Sequence, residues 1–166
     1  MTALLGADGD GSHVRVVIRD RLGYLAEGLG EARAHREAGY RAALETGHTP
    51  LIALSLIGIA DLALRRGDDG AAARMLAASD ALDGLPDYHS HPDVAASRRA
   101  ARTRLGETRF AEATAAGRLE DWREAAEAVL ALLAEASSRI GQGGGRRGSE
   151  GVTLVRATPW MSCLTW

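Results

Sequence analysis

The 166-residue chain contains no lysine and no asparagine, and its only cysteine is Cys163. All 20 basic residues are therefore arginines, a bias that we attribute to GC-rich coding, so no arginine is treated as functional for its residue type alone. A single cysteine excludes an intramolecular disulfide and favours a reducing compartment. We therefore expect a cytoplasmic protein.

Long apolar runs are also missing. The most apolar stretch, residues 51–64, is interrupted by Asp61 and would span ~21 Å as a helix, whereas the hydrocarbon layer of a bilayer is ~30 Å thick. Residues 1–14 have neither the basic nor the apolar region of a signal peptide. The sequence thus predicts no membrane partner.

Excess charge of either sign is absent as well, because the net charge is −2 and the isoelectric point is about 6.2. No sequence-wide positive field exists to hold nucleic acid, so direct nucleic-acid binding is not expected. With 46% apolar and 25% charged residues, the chain has the composition of one globular domain.

Apolar residues recur at three- and four-residue spacing, which predicts α-helices. The first stripe consists of Val14, Ile18, Leu22, Leu25 and Leu29, and the clearest one of Trp122, Ala125, Ala126, Val129, Leu130 and Leu133. Gly30, Gly67 and Gly106 are expected to end helices. We predict an all-α domain of six or seven helices over residues 14–137, after a flexible lead (1–13) and before a glycine-rich linker and disordered tail (138–166).

A short pattern occurs twice. Leu22-Gly23, Ala26 and Gly30 have the same spacing as Ile59-Ala60, Ala63 and Gly67. In each copy a large apolar residue precedes small residues, which let a second helix pack closely, and the final glycine permits a turn. This pattern resembles the tetratricopeptide (TPR) helix pair, which implies a superhelical array of α-α hairpins.

Four longer sequence segments resemble a second family. They are Ala60-Asp61-Leu62-Ala63-Leu64-Arg65-Arg66-Gly67, Ala72-Ala73-Arg74-Met75-Leu76-Ala77-Ala78, His91-Pro92-Asp93-Val94 and Arg104-Leu105-Gly106-Glu107-Thr108-Arg109-Phe110-Ala111. Together they look like the C-terminal TPR-like region of AfsR/SARP-type bacterial transcriptional regulators, which carry a bacterial transcriptional activator domain. The resemblance implies a non-enzymatic regulatory module that contacts a protein or peptide, including upstream domains of such a regulator.

The TPR resemblance also implies a partner-binding groove. Its inner face would carry Asp20, Tyr24, Asp61 and Arg65, on the first helix of each pair. The alternative is that Asp61 and Arg65 form a surface i,i+4 pair worth ~0.3 kcal/mol and that Tyr24 is half-buried packing. A homodimer formed through the apolar end of the array is a further alternative to peptide binding.

An enzyme is the remaining alternative, and it depends on His89, His91 and Asp93, which could ligate a metal. No third histidine or cysteine stands at ligand spacing, so we expect no metal, no cofactor and no catalytic residue. A cluster of arginines between residues 98 and 109 lacks interleaved aromatic residues and is interpreted as a solvated face paired with carboxylates.

Overall fold

The computed structural model describes residues 8–82 and 92–143, and it places them in seven α-helices without a strand. The helices are α1 (Asp8–Leu25), α2 (Leu29–Thr46), α3 (Thr49–Arg66), α4 (Asp69–Ala81), α5 (Pro92–Leu105), α6 (Glu107–Leu119) and α7 (Trp122–Gly143). The all-α class is thus confirmed for the described residues. Within these ranges, no helix combines the length and apolarity needed to cross a lipid bilayer.

Gly67 ends α3, as predicted, and begins the turn to α4. Gly67 has a φ of 87°, a left-handed conformation that glycine adopts without strain, and its N–H donates to the carbonyl of Leu64. The Asp68 carboxylate then accepts a hydrogen bond from the N–H of Ala71 at 2.9 Å, which caps the start of α4. A two-residue connection, Gly67-Asp68, therefore reverses the chain.

Other helix ends differ from the expectation. Gly30 does not end the first helix, because α1 stops at Leu25 and Gly30 lies in the first turn of α2. Helix α1 begins at Asp8, inside the lead expected to be flexible, and α7 continues to Gly143. Residues 144–166, which include Cys163, lie outside the described residues.

The predicted stripe of α1 is not its buried face. Val14, Ile18, Leu22 and Leu25 are exposed, whereas Val16, Gly23 and Ala26 are buried. The reason is the close approach of α1 to α2, which admits small residues at the contact and leaves the bulky ones outside. Leu29 belongs to α2, where it packs partly buried against the core. Gly23 and Ala60, the small residues at matching positions of the repeated pattern, are both buried.

Helix α4 lies at the centre of the core. It is antiparallel to α3, because the Ser79 hydroxyl near its end donates to the Ala53 carbonyl near the start of α3. It is also antiparallel to α5, which pairs Arg98 with Asp80 and Arg104 with Asp69. Helix α6 packs directly on α4, and the closeness of the two backbones requires Gly117.

Helix α7 folds back over the earlier helices and contacts α2, α3 and α4. Arg41 pairs with Glu127 at 2.9 Å and the Nε of Arg33 donates to the Leu130 carbonyl, so α7 is antiparallel to α2. Its buried residues are Ala126, Val129, Leu130 and Leu133, with Trp122 partly buried beside them. Among the described residues, the predicted apolar stripe of α7 is thus packed within one chain.

Candidate functional site

The structure brings the four residues of the expected groove together around a residue that the sequence analysis did not single out. This residue is Arg36, which lies on α2 and is only 3% exposed. Asp20 and Tyr24 reach it from α1 and Asp61 reaches it from α3, while Arg65 contacts Asp61. The four residues and Arg36 are hereafter called the Arg36 cluster.

Charge pairing fixes the position of the Arg36 guanidinium. Its Nη1 donates to the carboxylate of Asp20, and its Nη2 lies 3.5 Å from Oδ2 of Asp61. The side chains of both aspartates are 15% exposed. The Tyr24 ring lies 5.2 Å from the guanidinium carbon, within cation–π range. Two carboxylates on neighbouring helices thus share one buried cation.

Space for the arginine comes from two glycines. A Cβ added to Gly23 of α1 would lie 2.8 Å from the Cδ of Arg36, and one added to Gly58 of α3 would lie 2.8 Å from the same carbon. These distances are shorter than van der Waals contact. The absence of side chains at both positions therefore lets the arginine extend between α1 and α3.

Arg65 occupies the outer side of the cluster. Its Nε lies 3.0 Å from Oδ2 of Asp61, which is the i,i+4 pair that the sequence offered as an alternative. The same guanidinium donates to the carbonyls of Ala26 at 2.8 Å and Tyr24 at 3.0 Å, at the end of α1. Arg65 therefore holds the carboxyl end of α1 to α3, a role beyond that of a surface ion pair.

Burial changes the acidity of one member. The pKa of Asp20 is raised above its ordinary value because burial penalises the charged carboxylate, and this effect exceeds the opposing attraction of Arg36. The cluster as a whole contains two aspartates and two arginines, so its formal charges cancel. Helices α1, α2 and α3 are consequently joined without a net buried charge.

An open cleft of about 640 Å³ lies beside the cluster. It is lined by Tyr24 of α1, by Asp61, Leu64 and Arg65 of α3, and by Ala96, Ser97, Ala100 and Arg104 of α5. Three of the four predicted groove residues thus line the cleft, and Asp20 does not. The small residues of α5 leave room for a side chain or a peptide backbone, and Asp61, Arg65 and Arg104 give the lining both signs of charge.

Comparison with known proteins identifies no family for this chain. The chain matches no protein-family model, no curated protein and no solved structure.

Two residues of the predicted metal cluster lie outside the described residues. His89 and His91 lie between the two described ranges, and only the backbone of Asp93 is described, in the first turn of α5. Among the described residues, no group of three histidine, cysteine or carboxylate side chains is arranged to hold a metal ion.

Arginines between residues 98 and 109 form ion pairs with carboxylates, as expected. Arg98 forms a double contact with Asp80, Arg104 contacts Asp69 at 3.1 Å, and Arg102 lies 3.5 Å from a carboxylate oxygen of Glu107. Neighbouring carboxylates thus compensate three of these arginines, which confirms the interpretation as a solvated, paired face.

A sequence signal for Arg36 does exist. Ala32, Arg36, Tyr40 and Ala43 recur at four- and three-residue spacing and share one face of α2, and all four are buried. A charged residue in the middle of such a face requires a partner in the core. The partners could not be identified beforehand, because Asp20 and Asp61 lie on other helices and their proximity depends on the packing of α1 and α3.

Proposed function

We propose that this chain is a non-enzymatic, cytoplasmic interaction module of bacterial origin that binds a peptide segment of a partner protein in the cleft between α1, α3 and α5. The observation that carries the proposal is the composition of that cleft, which combines a small-residue wall with a fixed set of polar groups. Such a concave site suits recognition of a short segment, since few convergent polar groups set orientation and specificity.

The Arg36 cluster supports this proposal by fixing one wall of the cleft. Asp61 and Tyr24 are each held by Arg36, and Arg65 is held by Asp61 and by two carbonyls of the chain. Side chains that are ordered before binding lose little conformational entropy when a ligand arrives. The wall is therefore a preorganised surface.

We further propose that the helices are arranged as TPR-like pairs. In such an array the first helix of each pair lines the inner surface, and the cleft is lined by α1, α3 and α5, which alternate along the chain with α2, α4 and α6. This alternation favours groove binding, as the resemblance to TPR modules implies.

The resemblance to AfsR/SARP-type regulators suggests the partner, namely upstream domains of a regulator or a protein that it contacts. Sequencing the DNA upstream of the codon for Met1 tests this part of the proposal. An in-frame region that encodes DNA-binding and nucleotide-binding modules supports it, and an unrelated upstream gene with its own stop codon contradicts it.

Peptide binding in the cleft can be tested with a phage-displayed library of random peptides. Ala100→Trp would fill the cleft, and Ala111→Trp makes the same change at an exposed position of α6 that does not line the cleft. We expect peptides selected on the natural protein to bind Ala100→Trp at least about ten-fold more weakly, a loss of about 1.4 kcal/mol, and Ala111→Trp unchanged. Selected peptides that bind all three proteins equally would contradict cleft binding.

A further inference from the structure

Two histidine rings are in contact where α1 meets the turn between α2 and α3. His13 lies on α1 and His48 immediately precedes α3, and their ring centroids are 4.9 Å apart with the ring planes inclined at 56°. Tyr24, which lines the cleft from α1, lies eleven residues after His13, or about 16 Å along a helix. The two rings are therefore separate from the cleft.

The fold holds the backbone of both histidines in place. The N–H of His48 donates to Thr46 Oγ1 at 3.1 Å, and its carbonyl accepts from the N–H of Ile52 at 3.2 Å. Val16, about one turn after His13, is buried in a small apolar cluster together with Ile52. Because this buried contact joins α1 to α3, the two imidazoles lie side by side without further ordering of the backbone.

The nitrogens of both rings are available for a ligand. In the described part of the chain, the imidazoles of His13 and His48 form no hydrogen bond and no ion pair. His35 differs, because its Nδ1 lies 3.2 Å from the Nη1 of Arg19 and its Nε2 lies 3.9 Å from a carboxylate oxygen of Glu31. A neutral imidazole has one nitrogen lone pair that can bind a proton donor or a metal ion. The contact thus places two such lone pairs on neighbouring rings.

The distance between the rings suits coordination of a single ion. With metal–nitrogen bonds of about 2.0–2.1 Å, two imidazoles on one ion have centroids about 4.5–5.2 Å apart, for angles at the ion from a right angle to the tetrahedral angle. The observed 4.9 Å lies within this range. Rings inclined at 56° can each direct a nitrogen at a common point, whereas rings stacked face to face cannot.

We infer that His13 and His48 together bind one divalent ion of the class that imidazole favours, namely Ni²⁺, Cu²⁺ or Zn²⁺. Water fills the other positions of the ion, because two side chains supply only two ligands. The ion joins α1 to the turn that precedes α3. Mg²⁺ does not bind here, since it requires oxygen ligands. This site is independent of peptide binding in the cleft.

Calorimetric titration of the full-length protein with NiCl₂ tests this inference. The parent protein carries Cys163→Ser, which removes the only thiol, a competing ligand for such ions. We expect one Ni²⁺ per chain, tighter binding of CuCl₂ and no binding of MgCl₂. His13→Ala and His48→Ala should each weaken Ni²⁺ binding at least about ten-fold. The double variant should lose little more than either single variant, because both rings hold the same ion.

The other histidines provide controls. His35→Ala, and the double variant His89→Ala/His91→Ala, should leave the affinity for Ni²⁺ unchanged. Thermal unfolding gives a second readout, since an ion that binds only the folded state raises Tm. At a Ni²⁺ concentration about ten times its dissociation constant, the Tm of the parent should rise by roughly 3–8 °C. The Tm of His13→Ala and of His48→Ala should not change at that concentration.

Several results would overturn the inference. They are no Ni²⁺ binding by the parent protein, equal binding by His13→Ala and His48→Ala, and a loss of binding only when His89 and His91 are replaced. Additive losses in the double variant of His13 and His48 would show two separate sites instead of one. Half an ion per chain, together with a dimer in light scattering, would assign the two rings to a contact between copies.

Discussion

Replacement of Arg36 by methionine should destabilise the fold severely. Methionine is similar in length and fits between Gly23 and Gly58, so the main effect is electrostatic. Asp20 would lose its cation, and Asp61 would keep only Arg65. Breaking a buried pair by removing one partner costs about 3–5 kcal/mol. Since domains are stable by only about 5–15 kcal/mol, Arg36→Met should remove a large part of the total.

Urea unfolding followed by far-ultraviolet circular dichroism measures this loss, and thermal unfolding should show a decrease in Tm of roughly 6–20 °C. A second substitution separates electrostatics from packing. Asp20→Asn neutralises the carboxylate left without a cation, so the double variant should be more stable than the sum of the single effects, by about 0.5–3 kcal/mol. Arg109→Met, at an exposed arginine, is the control and should change stability by less than about 0.5 kcal/mol.

Two results would refute this reasoning. If Arg36→Met unfolds at the same urea concentration as the natural protein, the guanidinium does not hold α1, α2 and α3 together. If the effects of Arg36→Met and Asp20→Asn simply add, the two residues are not coupled, and their contact is incidental to the packing.

Three further predictions concern a helix contact, a buried carboxylate and a helix cap. Gly117→Ala would place a Cβ 2.6 Å from the Cα of Arg74 and so force α6 away from α4. The free energy of unfolding in urea should fall by about 1–3 kcal/mol. Gly11→Ala, the control in open space on α1, should instead stabilise the protein by up to about 1 kcal/mol. The pKa of Asp20 is raised in the folded state, so protonated Asp20 favours folding. The free energy of unfolding of the natural protein, relative to that of Asp20→Asn, should therefore fall as the pH rises from about 3.8 through the raised pKa. An opposite slope would contradict the assigned burial effect. Asp68→Ala removes the cap of α4 and should cost about 1 kcal/mol in the same assay, and an unchanged midpoint would show that the cap is dispensable.

Local signals predicted the helix boundaries well where proline, glycine or a capping residue marks them. Helix α5 ends at Leu105, immediately before Gly106 as predicted, and Pro92 suits its first turn. At Gly30 the same reasoning failed, since a glycine also fits the first turn of a helix, where its N–H requires no intrahelical partner.

Periodicity predicted that α1 is helical but not which side of it is buried. Large apolar residues define the stripe that includes Ile18 and Leu25, yet the contact with α2 selects small residues such as Gly23. The side chains of Asp20 and Asp61 could be assigned to one surface only through the family resemblance. Their common partner Arg36 depends on how three helices pack, which no single segment of sequence encodes.

The return of α7 across α2, α3 and α4 affects how this domain comes apart. In an open solenoid each unit contacts only its neighbours, so terminal units can melt separately and further units can be added. Here the last described helix is antiparallel to the second, so residues distant in sequence depend on one another. Loss of α7 would uncover α4, the innermost helix, and unfolding should therefore proceed as a single cooperative event over the described residues.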